Sequence, residues 1–181
     1  AFDKATAMQE LLSQKIGPNQ KSHKLDPLDF ALTRHDSIAI ISMSGSIGSI
    51  INLKEPERLQ PFVDLIKDFT VSDSLKEAAR AIGEHEPDLV QTVPKLIDAL
   101  LIPNWRTWPM LFDVPTASQI FGKIVSEAGI EGILYTSKFT SNDCLAIFPQ
   151  NFEEDSFIQL DGDAPKGTKI RRLDSKTWKE I

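Results

Sequence analysis

The residues best equipped for chemistry sit far apart in this chain. Tyr135-Thr136-Ser137 carries a phenol and two hydroxyls out of an apolar run, Gly132-Ile133-Leu134-Tyr135, into the polar stretch 137–143. A strand that ends this way holds a hydroxyl rigidly at the rim of a cleft, where loops on a stiff scaffold carry binding and catalytic groups. On residue type alone, Ser137 reads simply as the end of a strand. Glu10 lies in a helical pattern formed by Ala7, Met8, Leu11 and Leu12. At about 100° per residue it falls well away from the Met8–Leu12 stripe, so geometry alone makes it a solvated helix glutamate. The single cysteine, Cys144, opens a second apolar run ending at Phe148 and reads as a small core residue rather than a nucleophile. Gly45 and Gly48 lie between two apolar runs, a spacing able to cradle a phosphate. No lysine follows and no helix starts there, so neither phosphate-loop nor dinucleotide fingerprint is met, and a bulge or turn is the reading. Ser137 has no G-x-S-x-G elbow, and His23, His35 and His85 all fall in the N-terminal half, which leaves serine-hydrolase chemistry without its parts.

These groups need elements to position them. Thr116 and Gln119 have the spacing of a capping box, with Pro115 just before it. Ala117, Ile120, Phe121, Ile124 and Val125 then recur at helical spacing, and Gly129 stands where a left-handed cap would end the helix. The apolar runs at 132–135 and 144–148 are too short for helices and predict buried strands. Upstream, Gly17-Pro18 breaks the first helix, and residues 17–29 predict a loop. Strands are expected over 37–43 and 50–53. Three amphipathic helices follow: one on Leu59, Phe62, Val63 and Ile66; one on Leu75, Ala78, Ala79 and Ile82, opened by Ser72 or Asp73; one on Leu96, Ile97, Leu100 and Leu101, begun near Thr92 and Pro94. The tail beyond Asp161 predicts a loose end or an edge strand.

The order helix, A-G-I-E-G-I-L-Y-T-S, short polar loop, C-L-A-I-F resembles the C-terminal half of the RES domain family, NAD-degrading toxins of bacterial toxin–antitoxin pairs. The resemblance extends over roughly residues 1–152, closely in the last third and loosely in the middle. It implies an α+β domain with an ADP-ribosyltransferase-like fold, a small split mixed sheet with helices around a nucleotide cleft. Ser137 matches the family's catalytic serine. Asp3-x-x-Thr6-Ala7-x-x-Glu10 is similar to the segment in which a Thr-Ala pair precedes the family's catalytic glutamate, so the resemblance gives Glu10 that role. NAD is then the substrate, with no metal. Tyr135, Trp105 and Arg106 are its expected contacts, the ring stacking on nicotinamide or adenine and the guanidinium meeting a phosphate. The competing role for the Trp105–Trp108 region is closure of the core beneath the helices. The family's arginine and a tyrosine near it precede the glutamate, and residues 1–9 contain neither. Arg34 does not match that position. The expectation is therefore one RES-like domain over 1–181 lacking its N-terminal part, with 54–103 as a helical insert. The implied partner is an antitoxin of helix-turn-helix type. A non-catalytic module that kept this fold for binding or assembly is the alternative.

Composition agrees with a single globular domain large enough for a core. Twenty-six acidic against 20 basic residues give a net charge of −6, which argues against a general nucleic-acid binder. One Cys and three scattered His offer little to build a zinc site from. No run approaches the ~20 apolar residues of a membrane span, so the expected location is cytoplasmic.

Overall fold

The computed structural model describes residues 1–13, 40–83, 89–101 and 115–180. Five helices are found among them: α1 (Lys4–Ser13), α2 (Pro56–Ile66), α3 (Asp73–Ala81), α4 (Val93–Leu100) and α5 (Ala117–Glu127). The strands are β1 (Ser42–Ser46), β2 (Ile50–Asn52), β3 (Gly132–Thr136), β4 (Asp143–Ile147), β5 (Phe157–Asp161) and β6 (Arg172–Asp174). They form two three-stranded sheets, one ordered β1-β5-β6 and the other β2-β3-β4. The first is antiparallel throughout, while in the second β2 runs parallel to β3 and β4 antiparallel to it.

Local chemistry accounts for the helix boundaries. Thr116 and Gln119 complete the capping box, the Thr116 N–H donating to Gln119 Oε1 at 2.8 Å and the Gln119 N–H to Thr116 Oγ1 at 3.2 Å. Gly129, at φ +79°, ends α5 in the left-handed region. The side chains of Ser72 and Thr92 cap α3 and α4. A parallel strand pair needs a long crossover, and α2 to α5 fill the one between β2 and β3. Leu59 and Val63 of α2, Val93, Leu96 and Leu100 of α4, and Phe121 and Val125 of α5 pack with Leu53 and Ile133 into one apolar core. Phe62 and Phe121 meet edge to face, their centroids 5.3 Å apart. Tyr135 packs against the same cluster.

Three expectations need correction. The strand expected over 37–43 begins only at Ser42 and runs through Gly45 and Ser46, which the sequence assigned to a bulge or turn; residues 37–39 lie outside the described residues. The reason is the approach of β5. A Cβ at position 45 would lie 2.2 Å from the Phe157 carbonyl oxygen, so the pairing register needs bare backbone there. Second, β5 itself was not expected, although Phe157-Ile158-Gln159-Leu160 carries strand-forming residues. Third, α3 buries none of its residues among the described parts of the chain, and Leu75 and Ile82 stay exposed despite their helical spacing. β6 does form an edge strand, within the tail expected to be either loose or an edge.

Candidate functional site

Strand β3 carries a buried polar side chain just outside each of its ends. Glu131, immediately before it, is fully buried. The N–H groups of Gly48 and Ser49 donate to its Oε2, at 2.5 and 2.9 Å, and the Glu153 N–H donates to Oε1 at 2.8 Å. The Ser156 hydroxyl, itself buried, joins the cluster and accepts from the Gly48 N–H at 3.2 Å. Burial pushes this carboxyl up, but the donors from Glu153, Ser156, Ser49 and Gly48 outweigh it and hold it below the usual carboxylate range. The glycine loop between β1 and β2 thus does cradle an anion, one supplied by the chain itself. Because Gly48 links the two sheets and Glu153 leads back to β5, Glu131 ties both sheets together. No motif signals this role. The visible sign was a glutamate set between Ile130 and Gly132 at the mouth of an apolar strand.

The other end of β3 holds the residues singled out for chemistry. Ser137 is 2 % exposed, and its Oγ accepts from the Phe139 N–H at 3.2 Å, closing a local turn. Its backbone N–H donates to the Asn142 carbonyl at 2.8 Å, and its carbonyl accepts from Ser141, which sits at φ +61°. Tyr135 is two residues back on the strand, directly opposite Cys144 on β4. Burial chiefly, then the neighbouring Cys144 thiol and the Glu10 carboxylate, push the Tyr135 phenol well above its ordinary value. Burial also raises the Cys144 thiol, and Glu10 adds to the effect. Glu10 is half-buried on α1, and its charge adds to both upward shifts.

A polar cluster ties α1 to the turn beyond Ser137. Asp3 caps the helix, accepting from the Thr6 N–H at 2.8 Å, and its carboxyl lies below the usual range mainly through that bond. Thr6 is fully buried and shares a 2.8 Å hydrogen bond with the Thr140 hydroxyl. Asn142 Nδ2 donates to Thr6 Oγ1 and to Asp3 Oδ2, both at 3.2 Å. Glu10 stands four residues after Thr6, one turn along the same helix face. Nearby, Lys54 at the end of β2 pairs with Asp143 at 3.0 Å.

The fold pairs Tyr135 with Cys144 across β3 and β4, with Ser137 at the same end of β3, and ties α1, the helix that carries Glu10, to the turn beyond Ser137. Trp105 and Arg106 lie outside the described residues, as do Arg34 and the three histidines. Thr6, Thr140, Asn142 and Glu131 were not among the expected site residues. Besides the setting of Glu131 between Ile130 and Gly132, the one sequence sign was the place of Thr6 in the segment Asp3-x-x-Thr6-Ala7-x-x-Glu10. Among the described residues no group of three or more His, Cys, Asp or Glu is placed to hold a metal ion. No helix among them is long and apolar enough to cross a membrane.

These features define an α+β protein whose two small sheets are joined at a buried carboxylate and whose first helix is docked by hydrogen bonds. No protein-family model matches the chain, and no match is found among curated proteins or solved structures.

Proposed function

We propose that the protein is an NAD-consuming enzyme of the toxin type, with an ADP-ribosyltransferase-like arrangement, that cleaves the bond between nicotinamide and ribose. The observation that carries this reading is the docking of α1, the helix of Glu10, on the turn that follows Ser137, at the end of β3 where Tyr135 pairs with Cys144. Cleavage passes through an oxocarbenium-like state in which positive charge builds on the ribose. The Glu10 carboxylate, set beside that sugar, offsets the charge. Nicotinamide leaves as a neutral ring carrying the electron pair of the broken bond, and water, phosphate or a protein side chain attacks the sugar carbon and releases its proton to solvent. Tyr135, kept protonated by its surroundings, serves as a hydrogen-bond donor to the substrate and does not act as a base. Ser137 shapes the turn that orients the sugar. An antitoxin of helix-turn-helix type would silence the enzyme by covering this end of β3.

One observation favours the alternative, a non-catalytic binding module: Ser137 is almost fully buried and its hydroxyl already accepts a backbone hydrogen bond. Incubation with NAD separates the two readings. The enzyme reading expects steady nicotinamide release that Glu10→Gln lowers by roughly 10²-fold or more. Saturable NAD binding without any release would establish the module instead.

A further inference from the structure

Helix α1 is held differently from the helices of the core. Among its described side chains none belongs to the apolar cluster, and Thr6 alone is buried. Its neighbours Ala7, Met8 and Gln9 are half-buried, and Leu11 is exposed. What fastens it is the polar set Asp3, Thr6, Thr140 and Asn142, supported by the Phe2 N–H donating to the Asp143 carbonyl at 3.2 Å. Apolar packing is non-directional and tolerates sliding, whereas hydrogen bonds between short side chains fix both distance and rotation. A helix held this way has a defined register on its support and a modest energy of docking.

We propose that Thr6 is a positioning residue: with Thr140, Asn142 and Asp3 it clamps α1 to the β3–β4 turn and so fixes the position of Glu10 relative to that turn. The catalytic consequence of the clamp rests on the function proposed above, but the clamp itself does not. Thr6 lies on the helix face that Glu10 shares, so loss of its hydroxyl bonds releases the face that carries the carboxylate. Thr140 and Asn142 belong to the turn that Ser137 opens and closes, so the same bonds register α1 against Ser137. The clamp is selective for an oxygen at position 6, because Asn142 offers it an N–H and Thr140 a hydroxyl.

The chain supplies its own reporter. Cys144 is its single thiol, and it lies buried opposite Tyr135, next to the Asp143 carbonyl that accepts from the Phe2 N–H. Thr6→Val keeps the side-chain volume and removes the hydroxyl. The proposal expects the rate of Cys144 alkylation by iodoacetamide to rise about 10-fold or more in the folded variant, with Thr6→Ser staying near the parent rate. In nicotinamide release, Thr6→Val lowers kcat about 10-fold and changes KM little. If Thr6→Val does not fold, Asn142→Ala, at an exposed turn position, is read in the same way. Parent-like alkylation and a parent-like kcat in the folded Thr6→Val variant would overturn the clamp. Shifted alkylation in a protein whose parent releases no nicotinamide would uphold the clamp and overturn the enzyme reading.

Discussion

The two ends of β3 solve the same problem, a polar group buried beside an apolar strand, in opposite ways. At the Glu131 end a full charge is taken out of water and met by three backbone N–H groups, and those donors cannot leave without unfolding the loops that carry them. At the Ser137 end the buried groups are neutral hydroxyls: Ser137 accepts from the Phe139 N–H, and Thr6 is bound to the Thr140 hydroxyl and to the Asn142 amide on an exposed turn. A buried carboxylate gains enough from charge-assisted bonds to act as a permanent tie, and it becomes a liability if one partner is lost. Neutral hydroxyls contribute less each, but they hold a geometry while leaving a carboxylate on the same helix, Glu10, half-exposed. The difference teaches that burial of a polar residue is not in itself a sign of function. In this molecule the more deeply locked acid is structural and the more exposed one is the candidate for chemistry.

The largest expected effect lies at the first end. Glu131→Ala leaves three backbone donors facing an apolar void and should cost about 3–5 kcal/mol, read as a loss of unfolding free energy in urea. A loss under 1 kcal/mol would mean that the two sheets do not depend on this tie. Acid should reveal the same group. Folded Glu131 holds its proton less tightly than the unfolded chain, whose ordinary value is 4.5. Its contribution is therefore complete above that value and is lost as the pH falls through the lower folded value. Thermal unfolding followed from pH 6 to pH 3 should show a decline that Glu131→Gln flattens, from a lower starting stability.

Changes at the second end should be milder for the fold. Ser137→Ala removes the acceptor for the Phe139 N–H and should cost roughly 1–2 kcal/mol in the same urea measurement. Glu10→Gln, at a half-buried helix position, should change the unfolding free energy by less than about 0.5 kcal/mol. If Glu10→Gln proved as destabilising as Glu131→Ala, the division between a structural and a functional end would collapse.

Much of this architecture was legible because its signals are local. The capping box at Thr116 and Gln119, the glycine ending α5 and the two apolar runs around Tyr135 all act within a few residues of one another. The caps at Ser72 and Thr92 were equally plain. What escaped depends on distant pairs. Glu131 meets Gly48 across 83 positions and Thr6 meets Thr140 across 134, separations for which a single sequence holds no pattern. The misplaced β1 has the same origin. Ile38, Ile40 and Ile41 have strong strand propensity, yet the strand forms where Gly45 lets β5 approach, and Ile40 and Ile41 stay exposed. In α3, helical spacing predicted a buried stripe, but spacing states only which side chains share a face and not what packs on it.

The most direct measurement is nicotinamide production from NAD near neutral pH by the parent protein and by its Glu10→Gln and Glu131→Gln variants, each paired with an unfolding curve. The account predicts that the parent turns over, that Glu10→Gln loses roughly 10²-fold or more in rate while keeping its stability, and that Glu131→Gln loses stability while its folded fraction keeps its rate. A parent that produces no nicotinamide, or a Glu10→Gln variant as active as the parent, would contradict it.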